Sequence, residues 1–139
     1  MPSLREQDLL LPVAGYVKRK GYSLQTVELR FYDYRIDLYG FSMRTRRTVA
    51  VELKIKKWRR ALEQALIYQL CSDFVFIALP LSVASRVDVV ELRANGIGLI
   101  GVCGSGCRTL LHAERSSEVR QHYREPYIRM LRGAQNGRS

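Results

Sequence analysis

Two acidic side chains and one lysine suggest the chemistry of this chain. Asp37 is followed fifteen positions later by Glu52, and Lys54 stands two residues after Glu52. Hydrolysis of a phosphodiester needs a divalent cation that polarises a phosphoryl oxygen and lowers the pKa of the attacking water, and hard oxygen ligands suit Mg²⁺ or Mn²⁺. We therefore expect Asp37 and Glu52 to bind the metal, with the Leu53 carbonyl as a further ligand. Lys54 would orient or deprotonate the water and offset phosphate charge.

Alternating hydrophobicity places these residues on strands. A period of two, with β-branched and aromatic residues, is typical of half-buried strands. In the last of three such segments, Glu52 and Lys54 share one face, because successive strand side chains point to opposite faces. If the strands form adjacent hairpins, Asp37 lies close to both. The three segments are Thr26–Arg30, Tyr34–Ser42 and Thr48–Lys56, with a basic turn at Met43–Arg47.

The remaining segments alternate between helix and strand patterns. Apolar residues at helical spacing predict a first helix, a helix after the third strand and two more helices near the end. Two continuous apolar runs predict buried strands, the first at the centre of the sheet. These segments are residues 4–19 with a capping box at Ser3–Glu6, then Trp58–Leu70, Phe74–Leu79, Val83–Arg93, Ile97–Val102 and Ser117–Leu131. Pro126 is expected to interrupt the last helix, and residues from Gly133 onward to be frayed.

The order of these elements predicts one α/β domain over residues 1–139. Chains of this length usually form one core, and the sequence shows neither a linker nor an internal repeat. The order α-β-β-β-α-β is followed by a further αβ unit and a tail helix. Because hairpins join antiparallel strands and βαβ crossovers join parallel ones, we expect a mixed central sheet flanked by helices.

Charge and composition bound the partners. The chain has a net charge of +10 and a pI near 10.0, which favours nucleic acid through counterion release. An anionic membrane surface or ribosomal RNA would suit the same charge. No run of about 20 apolar residues could span a membrane, and the acidic start is unlike a signal peptide, so we expect a cytoplasmic protein with no membrane partner. Its three cysteines are expected to be reduced.

At its acidic residues the chain resembles the PD-(D/E)XK nuclease superfamily. Asp37 corresponds to the first acid and Glu52-Leu53-Lys54 to the (D/E)-x-K element, while Ile36 stands where a proline usually precedes the acid. The resemblance extends from the first helix to about Pro80. It implies a restriction-endonuclease-like fold and an Mg²⁺- or Mn²⁺-dependent DNA nuclease that acts in repair, recombination, restriction or mobile-element biology.

The resemblance implies further site residues outside these strands. Gln64-Ala65-Leu66-Ile67-Tyr68 matches the Q-x-x-x-Y element of RecB-like nucleases, in which a helix directs Gln and Tyr towards the site and the DNA backbone. We expect Gln64 as a catalytic residue and Tyr68 as a nucleic-acid contact. A glutamate on the first helix often completes such sites. Glu6 can take that role or simply cap its helix, and Glu28 is the reserve.

Several basic residues are candidates for phosphate contact. Those that directly follow the third strand are Lys56, Lys57, Arg59 and Arg60, and those in the basic turn are Arg44, Arg46 and Arg47. Charged runs are also common on solvated surfaces, and the sequence does not separate the two roles.

The spacing of cysteine and histidine suggests a second, weaker metal site. Cys103, Cys107 and His112 could contribute to zinc binding, yet a structural zinc site usually has four ligands, and Cys71 and His122 are remote in sequence. Iron–sulfur relatives of the superfamily use four cysteines, so no cluster is expected in a chain with three.

Two other functions fit the same sequence. The chain could be a nucleic-acid-binding module that does not cleave, although intact Asp37, Glu52 and Lys54 argue against it. It could instead be a subunit of a larger nucleoprotein machine that docks through Tyr123, Tyr127 and the arginines of the tail helix. Its compact size also resembles the archaeal Holliday-junction resolvases, which act as dimers. That resemblance suggests a homodimer, but no residue specifies a four-way junction.

Overall fold

The computed structural model describes residues 4–136, which build one six-stranded sheet with helices on both faces. The strands are β1 Leu24–Phe31, β2 Tyr34–Phe41, β3 Thr48–Leu53, β4 Phe74–Pro80, β5 Gly98–Cys103 and β6 Gly106–Leu111. The helices are α1 Leu10–Arg19, α2 Trp58–Tyr68, α3 Leu81–Ala84, α4 Val89–Ala94 and α5 Gln121–Asn136, and a 3₁₀ turn at Glu6–Leu9 leads into α1.

The strands lie side by side in the order of the chain. β1, β2 and β3 form antiparallel hairpins, whereas β3, β4 and β5 run parallel and are joined by helical crossovers. β6 returns antiparallel to β5. The expected α/β class, with a mixed sheet flanked by helices and β4 inside the sheet, is therefore confirmed. The carboxyl ends of β3, β4 and β5 meet at one side of the sheet, which we call the C-terminal edge.

Helices cover the two faces of the sheet with two separate cores. On one face, α1 buries Val13 and Val17 against Val49 and Val51 of β3. On the other face, α2 and α5 pack over a larger core that includes Ala50 of β3. Neighbouring residues of β3 thus point to opposite faces, as its sequence pattern predicts. No helix among the described residues is long and apolar enough to cross a membrane.

The first helix begins later than its sequence pattern predicts. Residues Glu6–Leu9 form a 3₁₀ turn, and α-helical geometry starts after it. Pro12 has no N–H to donate to the carbonyl of Asp8, and its ring crowds that carbonyl, which disfavours an α-helical turn at this point. Asp8 Oδ2 instead accepts a hydrogen bond from the Arg5 N–H at 2.9 Å. The expected cap residue, Ser3, lies outside the described residues.

The glycine-rich segment after β5 is the turn of a hairpin. Gly104 adopts a φ of +60°, a left-handed conformation that side chains disfavour, and the chain then returns as β6. β6 pairs with β5 from Cys103↔Gly106 to Leu99↔Leu111. The sequence pattern predicts only a loop here, because the short strand lacks a clear alternation.

The predicted helix over Val83–Arg93 is two short helices, α3 and α4. The chain leaves helical geometry after α3, and a new helix starts where the Asp88 carboxylate accepts a hydrogen bond from the Val90 N–H at 3.1 Å. Aspartate is a preferred N-cap because it satisfies a backbone donor that the first turn leaves free.

The tail helix α5 starts later and runs further than predicted. It passes through Pro126 and continues to Asn136, so the expected break at Pro126 and the fraying from Gly133 are both wrong for the described residues. Ile128 and Leu131 are buried against the sheet. This burial offsets the one helical hydrogen bond that the proline removes. Residues 137–139 of the predicted frayed tail lie outside the described residues.

A buried ion pair anchors α5 to the sheet. Arg124 Nε donates to Asp73 Oδ2 at 3.0 Å, and Arg124 Nη2 donates to the Arg46 carbonyl at 2.6 Å. The same Asp73 oxygen accepts the backbone N–H and the hydroxyl of Thr48 at 2.8 and 3.0 Å. These bonds tie α5 to the start of β3, the end of the sheet that is opposite the C-terminal edge.

Candidate active site

The strands β2 and β3 separate where the predicted acids stand. Their ladder ends at the pair Leu38↔Val51, so Asp37 and Glu52 are the next residues on each strand. Asp37 Oδ2 accepts a hydrogen bond from the Leu53 N–H at 2.7 Å and thereby replaces the missing main-chain partner. The N–H and C=O of one strand residue point to the same side, so the Leu53 carbonyl also faces the gap between the strands.

The side chain of Glu52 is buried among polar partners. It is only 4% exposed, and it lies close enough to the Asp37 carboxylate for that charge to raise its pKa. The Tyr68 hydroxyl donates to Glu52 Oε1 at 3.1 Å and also lies 3.0 Å from the Arg35 carbonyl. Tyr68 reaches the site because α2 packs directly on the face of β3 to which Glu52 points. Each acid therefore has a hydrogen-bond donor of its own, Leu53 N–H for Asp37 and the Tyr68 hydroxyl for Glu52.

Burial and mutual repulsion make it unfavourable for both acids to be ionised. Burial and then the negative charge of Asp37 raise the pKa of Glu52 to about 8, against the hydrogen bond from Tyr68. Burial also raises the pKa of Asp37, although the hydrogen bond from Leu53 opposes this shift. Two adjacent carboxyl groups of this kind share a proton near neutral pH. A cation between them would take the place of that proton.

The regular alternation of side chains between the two faces of the sheet breaks in the β1–β2 hairpin at Glu28 and Asp37. Leu38 packs in the core under α1, whereas Ile36 packs in the core under α2, although the two are an even number of residues apart. Glu28 and Asp37 lie between the pairs Val27↔Leu38 and Leu29↔Ile36 but do not pair themselves, and Glu28 has a φ of +50°, a strained conformation for a side chain other than glycine. Because of this irregularity, Asp37 lines a cleft on the α1 face of the sheet and still lies next to Glu52, whose side chain points to the α2 face.

The cleft on the α1 face is acidic. It has a volume of about 380 Å³, and its walls include the side chains of Glu6, Glu28 and Asp37. Glu6 is exposed, and its charge is close enough to raise the pKa of Asp37. Both glutamates named from the sequence therefore line the same cleft as Asp37, and the 3₁₀ turn before α1 places Glu6 there.

Lys54 and Gln64 complete the surroundings of the acid pair. Lys54 follows the last residue of β3, so this strand is shorter than predicted, and its N–H donates to the Ala78 carbonyl at 3.0 Å. The positive charge of Lys54 lowers the pKa of both acids. Gln64 lies one turn before Tyr68, and its buried Oε1 has no hydrogen-bond partner among the described residues.

The donor set for a metal is incomplete if side chains alone are counted. Among residues 4–136, no group of three or more histidine, cysteine, aspartate or glutamate side chains is arranged to hold a metal ion. The finding applies to two places: the described residues form no such zinc site at Cys103, Cys107 and His112, and the acid pair has no third side chain of these types arranged with it. At the acid pair, the oxygens of Asp37 and Glu52 and the Leu53 carbonyl are the donors that suit Mg²⁺ or Mn²⁺.

The basic candidates fall into two groups at opposite ends of the sheet. Lys56, Lys57 and Arg60 are exposed just beyond β3, beside the C-terminal edge, and Arg59 stacks on Trp58 and pairs with Glu91 at 3.7 Å. Arg44, Arg46 and Arg47 lie in the turn before β3. Four residues of strand, about 13 Å, separate that turn from Glu52, so the structure does not bring these arginines to the acid pair.

The structure changes the contacts expected for the tyrosines of α2 and α5. Tyr68, expected to contact nucleic acid, is fully buried, so its contact is with Glu52 instead. Tyr123 and Tyr127, the suggested docking residues of the tail helix, pack on their own chain: Tyr123 against Phe31, and Tyr127 against Tyr39. A docking role for α5 would therefore fall to its exposed side chains.

The structure also reveals two arginines that the sequence does not single out. Arg30 of β1 and Arg35 of β2 are cross-strand partners, both exposed, and they stand two positions beyond Glu28 and Asp37. Like charges placed directly opposite each other repel, so this pair is suited to an anion such as phosphate. Only the register of β1 against β2 could have indicated that these two arginines lie opposite each other.

Comparisons with known proteins establish the fold and no activity. No protein-family model matches the chain, and no curated protein matches it. Among solved structures, it is similar to a protein of unknown function from Silicibacter pomeroyi, SPO1766, with a TM-score of 0.73 and 17% sequence identity. The match covers 99% of this chain and 90% of the other. At this identity the likeness shows a shared fold alone.

Proposed function

We propose that this protein is an Mg²⁺- or Mn²⁺-dependent DNA nuclease with a restriction-endonuclease-like, PD-(D/E)XK core. One observation carries the proposal: the carboxyl groups of Asp37 and Glu52 meet where β2 and β3 separate, with Lys54 beside them. Burying two acids side by side is unfavourable unless a proton or a cation lies between them. A fold that depended only on packing would gain more from apolar residues at these positions.

The residues of the site divide into metal ligands and positioning residues. Asp37, Glu52 and the Leu53 carbonyl would hold the cation, which supplies Lewis-acid activation of the phosphoryl group and a more acidic water. Lys54 offsets charge on the phosphate and orients or deprotonates the water. Tyr68 acts through Glu52, whose carboxyl group it holds by a hydrogen bond. Glu6 and Gln64 remain candidates for a supporting catalytic role.

The topology and charge of the molecule support the same proposal. The α-β-β-β-α-β order over α1 to β4 agrees with the core that the sequence resemblance implies. The site lies at the C-terminal edge, where ligands of open α/β sheets commonly bind. The net charge of +10 favours a polyanionic substrate.

A cleavage assay with matched variants tests the proposal. Purified protein is incubated with supercoiled, linear and branched DNA in Mg²⁺, Mn²⁺ or EDTA. We expect cleavage only with a divalent cation, and a loss of at least about 100-fold in Asp37→Asn and Glu52→Gln, a size typical of removing one group that stabilises the transition state. Glu63→Gln is the control, because Glu63 is an exposed carboxylate on α2 away from the acid pair. Cleavage that persists in both site variants would overturn the assignment.

A second candidate is a nucleic-acid-binding module that does not cleave. It is favoured by the finding that residues 4–136 arrange no third acidic, histidine or cysteine side chain with the acid pair as a metal site. The same assay separates the two candidates. DNA binding that weakens with salt, without cleavage in either cation on any substrate, would support the module and reject the nuclease.

A further inference from the structure

A second cavity lies on the α1 face, away from the acidic cleft. It has a volume of about 260 Å³ and lies between the last turn of α1 and the strands β4 to β6. Its walls include Val49 and Phe74 at the starts of β3 and β4, the end of the sheet opposite Glu52. Neither Asp37 nor Glu52 lines it, so it is a separate site.

The walls of this cavity are mainly aromatic. Tyr16, Tyr22, Phe74 and Phe76 line it, and each of the four is only partly buried. Partly exposed aromatic rings that converge on one cavity leave apolar surface in contact with water, which is unusual outside binding sites. The cavity exceeds the roughly 150 Å³ that accommodates a benzene molecule in a protein, so it has room for a purine or pyrimidine base.

One glycine shapes the floor of the cavity. Phe76 lies across Gly98 of β5, where an added Cβ would come within 2.5 Å of the ring. Because Gly98 has no side chain, the ring can lie close against the neighbouring strand. The aromatic surface is thus formed by the fold itself before any ligand arrives, and a preformed surface loses little conformational entropy on binding.

The rim of the cavity is polar and positively charged. The Lys20 ammonium group lies 5.2 Å from the centre of the Tyr16 ring, and the Tyr16 hydroxyl is 2.5 Å from the Thr109 hydroxyl. Burial and the negative charge of Asp73 raise the pKa of Tyr22, and the positive charge of Arg47 opposes them. No acidic side chain is among the described residues that line it. The acidic cleft attracts cations, whereas this cavity suits an anion with an aromatic group.

We propose that this cavity binds one unpaired nucleotide, with its base between the aromatic rings and its phosphate near Lys20. Rings of this kind stack on any base, and the cation at the rim favours the phosphate. A neutral apolar ligand would use the rings but not the cation. The site is independent of the proposed nuclease centre.

Binding measurements in EDTA test this site without cleavage. The probes are adenosine 5′-monophosphate and a ten-nucleotide single-stranded DNA, titrated by calorimetry and by fluorescence anisotropy. We expect Lys20→Gln and Tyr22→Ser each to weaken binding by about tenfold, the order expected for losing one stacking or charged contact. Lys18→Gln is the matched control, because it removes the same charge two residues before Lys20, in the last turn of α1, at a residue that does not line the cavity. It should change binding by less than about twofold.

Further variants keep the outcome interpretable. Phe74→Leu retains apolar volume and should still weaken stacking, and thermal unfolding shows that each variant is folded. If the variants bind both probes more weakly, the cavity is a site for free nucleotides. If they bind only the oligonucleotide more weakly, the cavity is a site for a nucleotide within a strand. Both results support the proposal. Equal effects of Lys20→Gln and Lys18→Gln, with no effect of Phe74→Leu, would overturn it. Glu63→Gln, at an exposed position of α2, should bind both probes as the wild type does, whether or not the nuclease proposal holds.

Discussion

The carboxyl groups of Asp37 and Glu52 meet one residue beyond the last pair of β2 and β3, and the Leu53 N–H donates to Asp37 instead of to a strand neighbour. A regular hairpin would have continued its ladder here and kept the two side chains as ordinary cross-strand neighbours. The side-chain bond stabilises the open end of the hairpin and fixes one acid beside the other. The site therefore depends on where the ladder stops.

The stability of the protein should fall as pH rises through the range in which Glu52 titrates. Its pKa is about 8 in the folded chain against 4.5 as the ordinary value, so the folded state holds a proton that the unfolded state releases. The stabilisation is complete below about pH 4.5 and is lost as pH approaches 8. We expect urea unfolding in EDTA to show this loss in the wild type and a flatter profile in Glu52→Gln. Parallel profiles for the two proteins would contradict the raised pKa.

Divalent cations should stabilise the protein more at high pH than at low pH. A cation must displace the proton that Asp37 and Glu52 share, so its affinity rises as pH approaches 8. A cation at about 100 times its Kd adds about 2.7 kcal/mol to the free energy of unfolding. Melting curves with Mn²⁺ at pH 6 and pH 8 measure this effect. Glu52→Gln should lose the Mn²⁺ shift, whereas Glu63→Gln should keep it.

Tyr68→Phe should alter the acid pair without touching either acid. The Tyr68 hydroxyl lowers the pKa of Glu52, so its removal should move the pH midpoint of Mn²⁺ binding upward. It also leaves buried acceptors unpaired, at about 1–3 kcal/mol of stability. Tyr127→Phe is the control, since it also loses one tyrosine hydroxyl bond, at 2.7 Å, but to the Arg30 carbonyl and not to Glu52. The same midpoint in both variants would show that Tyr68 has only a packing role.

Arg124→Met should destabilise the fold strongly although it adds an apolar side chain. Arg124 and Asp73 form a buried ion pair, and removing the arginine leaves the Asp73 carboxylate buried with weaker compensation. Breaking such a pair costs about 3–5 kcal/mol. Arg129→Met, at an exposed position of the same helix, should change stability by less than about 0.5 kcal/mol. Urea denaturation compares the two, and equal effects would rule out a stabilising role for the pair.

Gly98→Ala should destabilise the chain and disturb the aromatic cavity. The added methyl group would lie 2.5 Å from the Phe76 ring and 2.8 Å from the Ala113 backbone nitrogen, so the ring must move. Overpacking of this kind costs about 1–3 kcal/mol. Gly133→Ala meets nothing within 4 Å, and within α5 it should stabilise by about 0.5–1 kcal/mol. A Gly98→Ala variant as stable as the wild type would show that the ring has room elsewhere.

The local direction of side chains could be predicted from the sequence. The alternation in β3 separates Glu52 from Val51, and the spacing of α2 puts Gln64 and Tyr68 one turn apart, because these directions depend only on residues close in the chain. The same local patterns indicate the mixed α/β sheet. Local patterns fail where contacts with residues far along the chain decide the structure. At Pro126 the pattern predicts a break, but burial of α5 against the sheet keeps the helix continuous.

Only the tertiary structure decided which residues meet. The end of the ladder at Leu38 and Val51, the strained Glu28 opposite Asp37, and the separation of Arg47 from the acid pair all follow from how strands pair across the sheet. Pairing between strands is set by packing of residues far apart in the chain, and no local pattern encodes it. The sequence by itself determined which residue types could bind a cation and a phosphate. The fold determined that Asp37 and Glu52 lie side by side and that an aromatic cavity lies at the other end of the same sheet.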